Sequence, residues 1–142
     1  MEDQYVTGAA NDRLVEYRAL IEARSERMKE LTNARNAIAD ATEEIDRIEA
    51  EYLTGKMPDD EHPGEFIVPT GKNEQERKAS LLLLLADDPV VRQVREELTG
   101  AQVSLAEADR LLAVIRMTER MLLAELALLT AGGIAVEREA QP

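Results

Sequence analysis

The chain reads as an all-α protein: a long antiparallel helical hairpin of coiled-coil type with a short Leu-rich helix at its turn, assembled as a homo-oligomeric helical bundle. Two apolar repeats predict this, Leu14 to Tyr52 and Val91 to Leu129, which run with three- and four-residue spacings over similar lengths on either side of one Pro/Gly-rich break. Composition agrees. Apolar residues make up 44% of the 142 residues and aromatic residues only 3%, the balance of a Leu/Ala/Glu/Arg-rich helical protein. Residues 1–142 are expected to form a single helical domain.

The first helix is expected over about residues 11–54, with Asn11 or Asp12 as its cap. Leu14, Tyr17, Ile21, Met28, Leu31, Ile38, Ile45, Ile48 and Tyr52 fall on one stripe. Arg24, Arg35 and Thr42 interrupt the strict heptad, while Ala34, Ala37 and Ala41 thin the middle of the seam and let a neighbouring helix approach closely. The helix should end near Thr54-Gly55, where glycine offers left-handed geometry. Residues 55–72 hold Pro58, Pro63, Gly64 and Pro69 without a helical period, so a loop is expected to cross the end of the hairpin. Phe66-Ile67-Val68 is available to tack that loop onto the helices, and Asp59-Asp60-Glu61-His62 should face solvent.

A short helix is expected over residues 74–87. The Asn73 side chain can accept from the Glu76 amide while the Glu76 carboxylate reaches back to the Asn73 amide, a capping-box arrangement. Leu81 to Leu85 then puts apolar surface all round this helix, which must be wedged between partners. Asp88-Pro89 restarts the chain, with Asp88 as cap and Pro89 in the first helical position, where its missing N–H costs nothing.

The long final helix is expected over residues 89–131, about 60 Å at 1.5 Å per residue. Its seam is Val91, Val94, Leu98, Ala101, Leu105, Ala108, Leu112, Ile115, Leu122, Leu126 and Leu129, with Gly132-Gly133 ending it and a frayed tail over 132–142. Leu111, Val114, Met117, Met121 and Leu123 add a second apolar face that one antiparallel partner cannot cover. Burying that face, at about 25 cal/mol per Å2, drives oligomerisation, and two-fold symmetry favours an even-numbered assembly.

A net charge of −12 repels duplex phosphates, and Tyr5, Tyr17, Tyr52 and Phe66 are too scattered for a base-stacking platform, so direct DNA binding is disfavoured. The absence of cysteine excludes disulfides, thiolate nucleophiles and Cys-based zinc sites. The start Met-Glu-Asp-Gln-Tyr lacks the pattern of a signal peptide, and Arg116, Glu119, Arg120 and Glu125 interrupt the most apolar window. The expectation is a cytoplasmic protein with no membrane partner.

Gly71-Lys72-Asn73-Glu74-Gln75-Glu76-Arg77-Lys78 is the best local motif. A helix N-terminus offers free N–H groups and positive partial charge to an anion, which Lys72, Arg77 and Lys78 could supplement; the capping box explains Asn73 and Glu76 without any ligand. No glycine precedes Gly71 at Walker spacing, and Asn73 stands where a magnesium-binding Ser or Thr would be required. This Gly-Lys-Asn-Glu-x-Glu-Arg start, the leucine-rich turn, the acidic break and the long heptad helix resemble small bacteriophage-encoded helical proteins over Gly71 to about Leu129. The resemblance implies a phage accessory role, among recombination and replication or counter-defence genes, and carries no catalytic residues. If phage-encoded, the protein would work in the host cytoplasm.

Arg116 and Arg120 lie one turn apart in the most apolar part of the last helix. Buried there, they would pair with carboxylates of a neighbouring subunit or line an anionic pocket. Arg92 and Arg95 pose the same choice, with Glu96 and Glu97 favouring ordinary surface pairing. His62, Asp59, Asp60, Glu61 and Glu65 have metal-ligand chemistry but no second histidine, which favours a solvated loop without metal. Glu43-Glu44 and Glu96-Glu97 point to different sides of their helices, and no Ser–His–Asp arrangement exists, so neither an enzyme nor a cofactor is expected. Two readings follow. One is an anti-defence sponge sequestering a small phosphate-bearing, nucleotide-type immune signal; the other is a protein–protein adaptor in phage recombination or replication, whose acidic faces dock on a basic phage or host protein.

Overall fold

The structure, a computed structural model, describes the backbone of residues 2–140 and the side chains of residues 8–132. In chain order the elements are α1 (Glu2–Leu53), β1 (Met57–Pro58), β2 (Phe66–Ile67), α2 (Glu74–Asp87) and α3 (Pro89–Ala140). The protein is therefore all-α apart from one two-stranded ribbon. Contacts divide it into two compact units, Thr32–Leu105 and a second made of Met1–Leu31 with Ala106–Pro142. Helices α1 and α3 contribute a segment to each.

Both outer helix limits depart from the sequence expectation. Helix α1 begins at Glu2, so Asn11 and Asp12 are interior residues and not caps. Gly8 lowers helix stability by only about 1 kcal/mol relative to alanine, and no proline interrupts the first turns. At the other end α3 runs through Gly132 and Gly133 to Ala140, where a frayed tail was expected; Gln141 and Pro142 lie outside the described residues. A glycine stops a helix by adopting positive φ, and among the described residues only Gly55, Gly64 and Gly71 do so.

In the unit spanning Thr32–Leu105, α1 presents Ala34, Ala41, Ile48 and Tyr52 to the interior, and α3 presents Val91, Val94 and Ala101. With half-buried Ile38 and Ile45 on α1 and Leu98 on α3 between them, the spacings alternate between three and four residues and keep one face of each helix turned inward. The tightest packing joins Ile48, Tyr52, Leu81, Leu85 and Val91, with Met57, Ile67 and Leu84 half-buried against them. Helix α1 closes with a Schellman motif: the Lys56 amide donates to the Glu51 carbonyl at 2.9 Å and the Gly55 amide to the Tyr52 carbonyl at 3.4 Å, with Gly55 at φ +69°.

The segment between α1 and α2 is more ordered than a plain loop. Met57 pairs with Ile67 and Pro58 with Phe66 in an antiparallel ribbon. Ile67 and Met57 seat it on the core, whereas Phe66 and Val68 stay exposed. The Thr70 amide then donates to Ser80 Oγ at 3.0 Å, fastening the strap to α2.

In the unit made of Met1–Leu31 and Ala106–Pro142, Leu31, Ala108, Leu112, Ile115, Glu119 and Leu122 are buried. Ala10, Arg13, Tyr17, Leu20, Arg24 and Arg27 of α1 are half-buried, in heptad phase with Leu31. Leu14, Ile21 and Met28, expected on the seam, each lie one position past it and are exposed. Ion pairs explain the shift: Arg13 Nε meets Glu125 Oε2 at 2.6 Å and Arg24 Nη1 meets Glu119 Oε2 at 3.1 Å. As residue numbers rise along α1, those of the partners on α3 fall. The two segments are antiparallel.

Candidate functional site

At the start of α2 side chains of the same turn take two of the backbone donors. Asn73 Oδ1 accepts the Glu76 amide at 2.9 Å, and the Glu76 carboxylate accepts the Lys72 amide at 2.7 Å. The second bond corrects the expected capping box by one residue: the carboxylate takes the Lys72 N–H, and not that of Asn73, with Gly71 just before it at φ +154°. Arg77 Nε donates to the Asn73 carbonyl at 3.4 Å and Lys78 lies 3.6 Å from Glu74. The helix thus carries its own anions at its positive end. Lys72, Asn73, Arg77 and Lys78 share this capped turn, all exposed.

The other cationic candidates are also exposed. Arg92 closes α2 by donating from Nε to the Ala86 carbonyl at 2.9 Å and pairs with Asp87 at 3.6 Å; Arg95 makes no ion pair among the described residues. Arg116 and Arg120, expected to be buried, are at the surface, and Glu119 between them is the buried charge, 8% exposed. The heptad explains the exchange, since position 119 falls on the inward phase with Leu112 and Ile115 while 116 and 120 fall off it. Glu119 Oε2 takes Arg24, and its Oε1 has no hydrogen-bond partner among the described residues.

Asp59, His62 and Glu65 bring their ligand-type atoms within 4.8 Å of one another, a proximity not evident from the sequence. The turn itself produces it: the Asp59 amide donates to the Glu65 carbonyl at 2.9 Å, and Asp59 Oδ1 accepts the Glu61 amide at 3.0 Å. That bond, with lesser help from His62, holds the Asp59 carboxyl below the usual aspartate range despite the opposing effect of desolvation. Asp60, Glu61 and His62 face solvent, whereas Asp59 is half-buried.

An exposed apolar stripe lies on α3. Val114, Met117, Met121, Ala124 and Leu128 are exposed, Met117 by 63% and Leu128 by 74%, and they recur at spacings of three and four residues. Each stands two positions after an inward residue, which places this second stripe about 200° around the helix from the first at 100° per residue. Val114, Met117 and Met121 belonged to the second apolar face expected from sequence; Ala124 and Leu128 complete its heptad spacing. In α2, the Leu81–Leu85 run is split. Leu81 and Leu85 are buried and Leu84 half-buried, but Leu82 and Leu83 are 64% and 69% exposed.

Comparisons with protein families, curated proteins and solved structures found no match to this chain. No described helix is long and apolar enough to cross a membrane.

Proposed function

We propose that this protein is a non-enzymatic phage accessory adaptor that works as a homo-oligomer and binds its partners through helix faces. The observation that supports it is the second heptad stripe of α3, Val114 to Leu128, on the side of the helix opposite its intrachain seam. A helix apolar on two opposite sides needs protein on both. Asp40, Glu43 and Asp46 of α1 are exposed carboxylates and suit a basic partner. The phage setting rests on the sequence resemblance alone.

The alternative, sequestration of a nucleotide-type anion, draws support from Arg116 and Arg120, which are exposed and have no ion pair among the described residues. It would need a pocket assembled from several copies, because the cap of α2 is filled by Glu76.

Sedimentation velocity from about 1 to 100 µM tests the favoured reading, since association governed by mass action either grows over such a range or is already complete at its lower end. Association that Met117→Glu with Met121→Glu abolishes, without loss of helicity, is the expected result. A stable solitary subunit throughout removes it. A thermal-shift panel of nucleotides separates the alternative: stabilisation by one nucleotide class would favour the sponge over the adaptor.

A further inference from the structure

We propose that the Val114–Leu128 stripe receives the same stripe of a second copy, with the two α3 segments parallel and Arg120 of each copy facing Glu125 of the other. This rests on the self-associating reading above and specifies its surface, occupant and orientation.

Spacing argues for the occupant. Val114, Met117, Met121, Ala124 and Leu128 form two heptads of core positions without a charge among them. A stripe repeating every three and four residues is complementary to another helix carrying the same repeat, as knobs enter holes only when the phases agree. The second copy supplies an identical phase, and Ala124 at one core position allows the helices to approach closely.

Charge argues for the orientation. With Val114, Met121 and Leu128 as first core positions, Arg120 precedes one of them and Glu125 follows the small residue Ala124, so the two flank opposite edges of the stripe. Five residues separate them, the offset at which flanking positions of parallel coiled-coil helices meet. A two-fold axis along the helices then forms both Arg120–Glu125 pairs at once. The antiparallel arrangement centred on Met121 would instead bring Arg120 against its own copy. Glu125 already meets Arg13 of its own chain through Oε2, and its position beside the stripe lets the same carboxylate receive a second guanidinium. Arg120 has no ion pair among the described residues.

The chain has no cysteine, so single introduced thiols report cleanly on proximity. Val114→Cys and Leu128→Cys, each oxidised mildly at micromolar concentration, are expected to cross-link to their own copies, while a mixture yields little 114-to-128 disulfide. Arg120→Glu and Glu125→Arg are each expected to weaken dimerisation at least about tenfold through two like-charge contacts, and mixing them restores it because the heterodimer re-forms one pair with its native sign and the other with reversed sign. Circular dichroism verifies that each variant remains helical. Dominant 114-to-128 cross-linking would overturn the orientation. Wild-type association with neither cross-linking nor charge sensitivity would overturn the choice of surface and leave the self-associating reading intact; a monomer at every concentration would remove both.

Discussion

Tyr52 donates its phenolic hydrogen to Asp88 Oδ2 at 2.6 Å, tying the last turn of α1 to the residue between α2 and α3. Asp88 Oδ1 meanwhile accepts the Val90 and Val91 amides at 2.8 and 3.2 Å, and the Asp88 amide donates to the Leu84 carbonyl at 3.1 Å. One residue therefore ends α2, caps α3 and holds α1.

Tyr52→Phe keeps the ring, which is 4% exposed, in the core and deletes only this bond. Hydrogen bonds to charged groups contribute about 1.5–3 kcal/mol, and partial exposure of Asp88 lets water recover some of that, so a loss of about 1–2 kcal/mol is expected. Asp88→Ala should cost more, because the α3 cap goes with it. Urea midpoints at constant m-value measure both; equal losses would mean the phenol contributes all of the effect.

The same contact sets an alkaline limit. Burial, then the hydrogen bond and charge of Asp88, raises the Tyr52 pKa above the ordinary phenol value of 10.0. The unfolded chain releases this proton near pH 10 and the folded chain does not, so the stabilisation is intact below that pH and is lost as pH rises above it. Wild-type stability should fall more steeply than that of Tyr52→Phe between pH 9 and about 11. Parallel curves would show that Tyr52 does not carry the difference.

The caps of α2 and α3 were legible because Asn73, Asp88 and Pro89 act within one turn, where residue type and spacing decide the hydrogen bonds. The seam of α1 between Arg13 and Arg27 was not. Hydropathy assigns Leu14, Ile21 and Met28 to the interior, whereas ion pairs formed with α3 by Arg13 and Arg24 turn the neighbouring phase inward. The Asp59–His62–Glu65 convergence was hidden for a related reason, since it follows from a ribbon whose strands are two residues long, too short for any period. The exposure of Arg116 and Arg120 could have been read from the heptad phase of Leu112, Ile115 and Leu122, which places Glu119 and not the arginines inside.

Arg24→Met isolates the consequence of that seam. It leaves Glu119 buried without its guanidinium, and breaking a buried ion pair costs about 3–5 kcal/mol, reduced here to about 1–3 kcal/mol because the arginine is part-exposed. Replacing both residues by leucine should recover most of that stability while removing a polar constraint on register. Denaturation of the two variants is decisive: an unchanged midpoint for Arg24→Met would show that water already satisfies Glu119.

Gly71→Ala tests the approach of the strap to α2. A Cβ at this position would stand 2.6 Å from Glu76 Cβ and 2.8 Å from the Arg77 backbone nitrogen, and backbone atoms of a capped first turn have little freedom to retreat. A loss of about 1–3 kcal/mol is expected, with faster hydrogen exchange at the Lys72 and Glu76 amides as the cap opens. Wild-type exchange at those two amides would mean that the strap can relax without disturbing the cap.

Within the leucine run, geometry divides residues that composition cannot tell apart. Leu85 is 3% exposed, in the cluster with Ile48, Tyr52, Leu81 and Val91, while Leu83 is 69% exposed two positions earlier. Truncating Leu85 to alanine removes buried methyl groups and leaves a cavity, at a cost of about 2–5 kcal/mol, whereas truncating Leu83 in an isolated subunit should change stability by less than about 0.5 kcal/mol. Measured where the protein associates, a larger cost for Leu83→Ala would place that residue in a contact between copies, because only a neighbouring molecule can bury it. Equal costs in dilute monomer would instead mean that α2 is rotated about its axis from the orientation described.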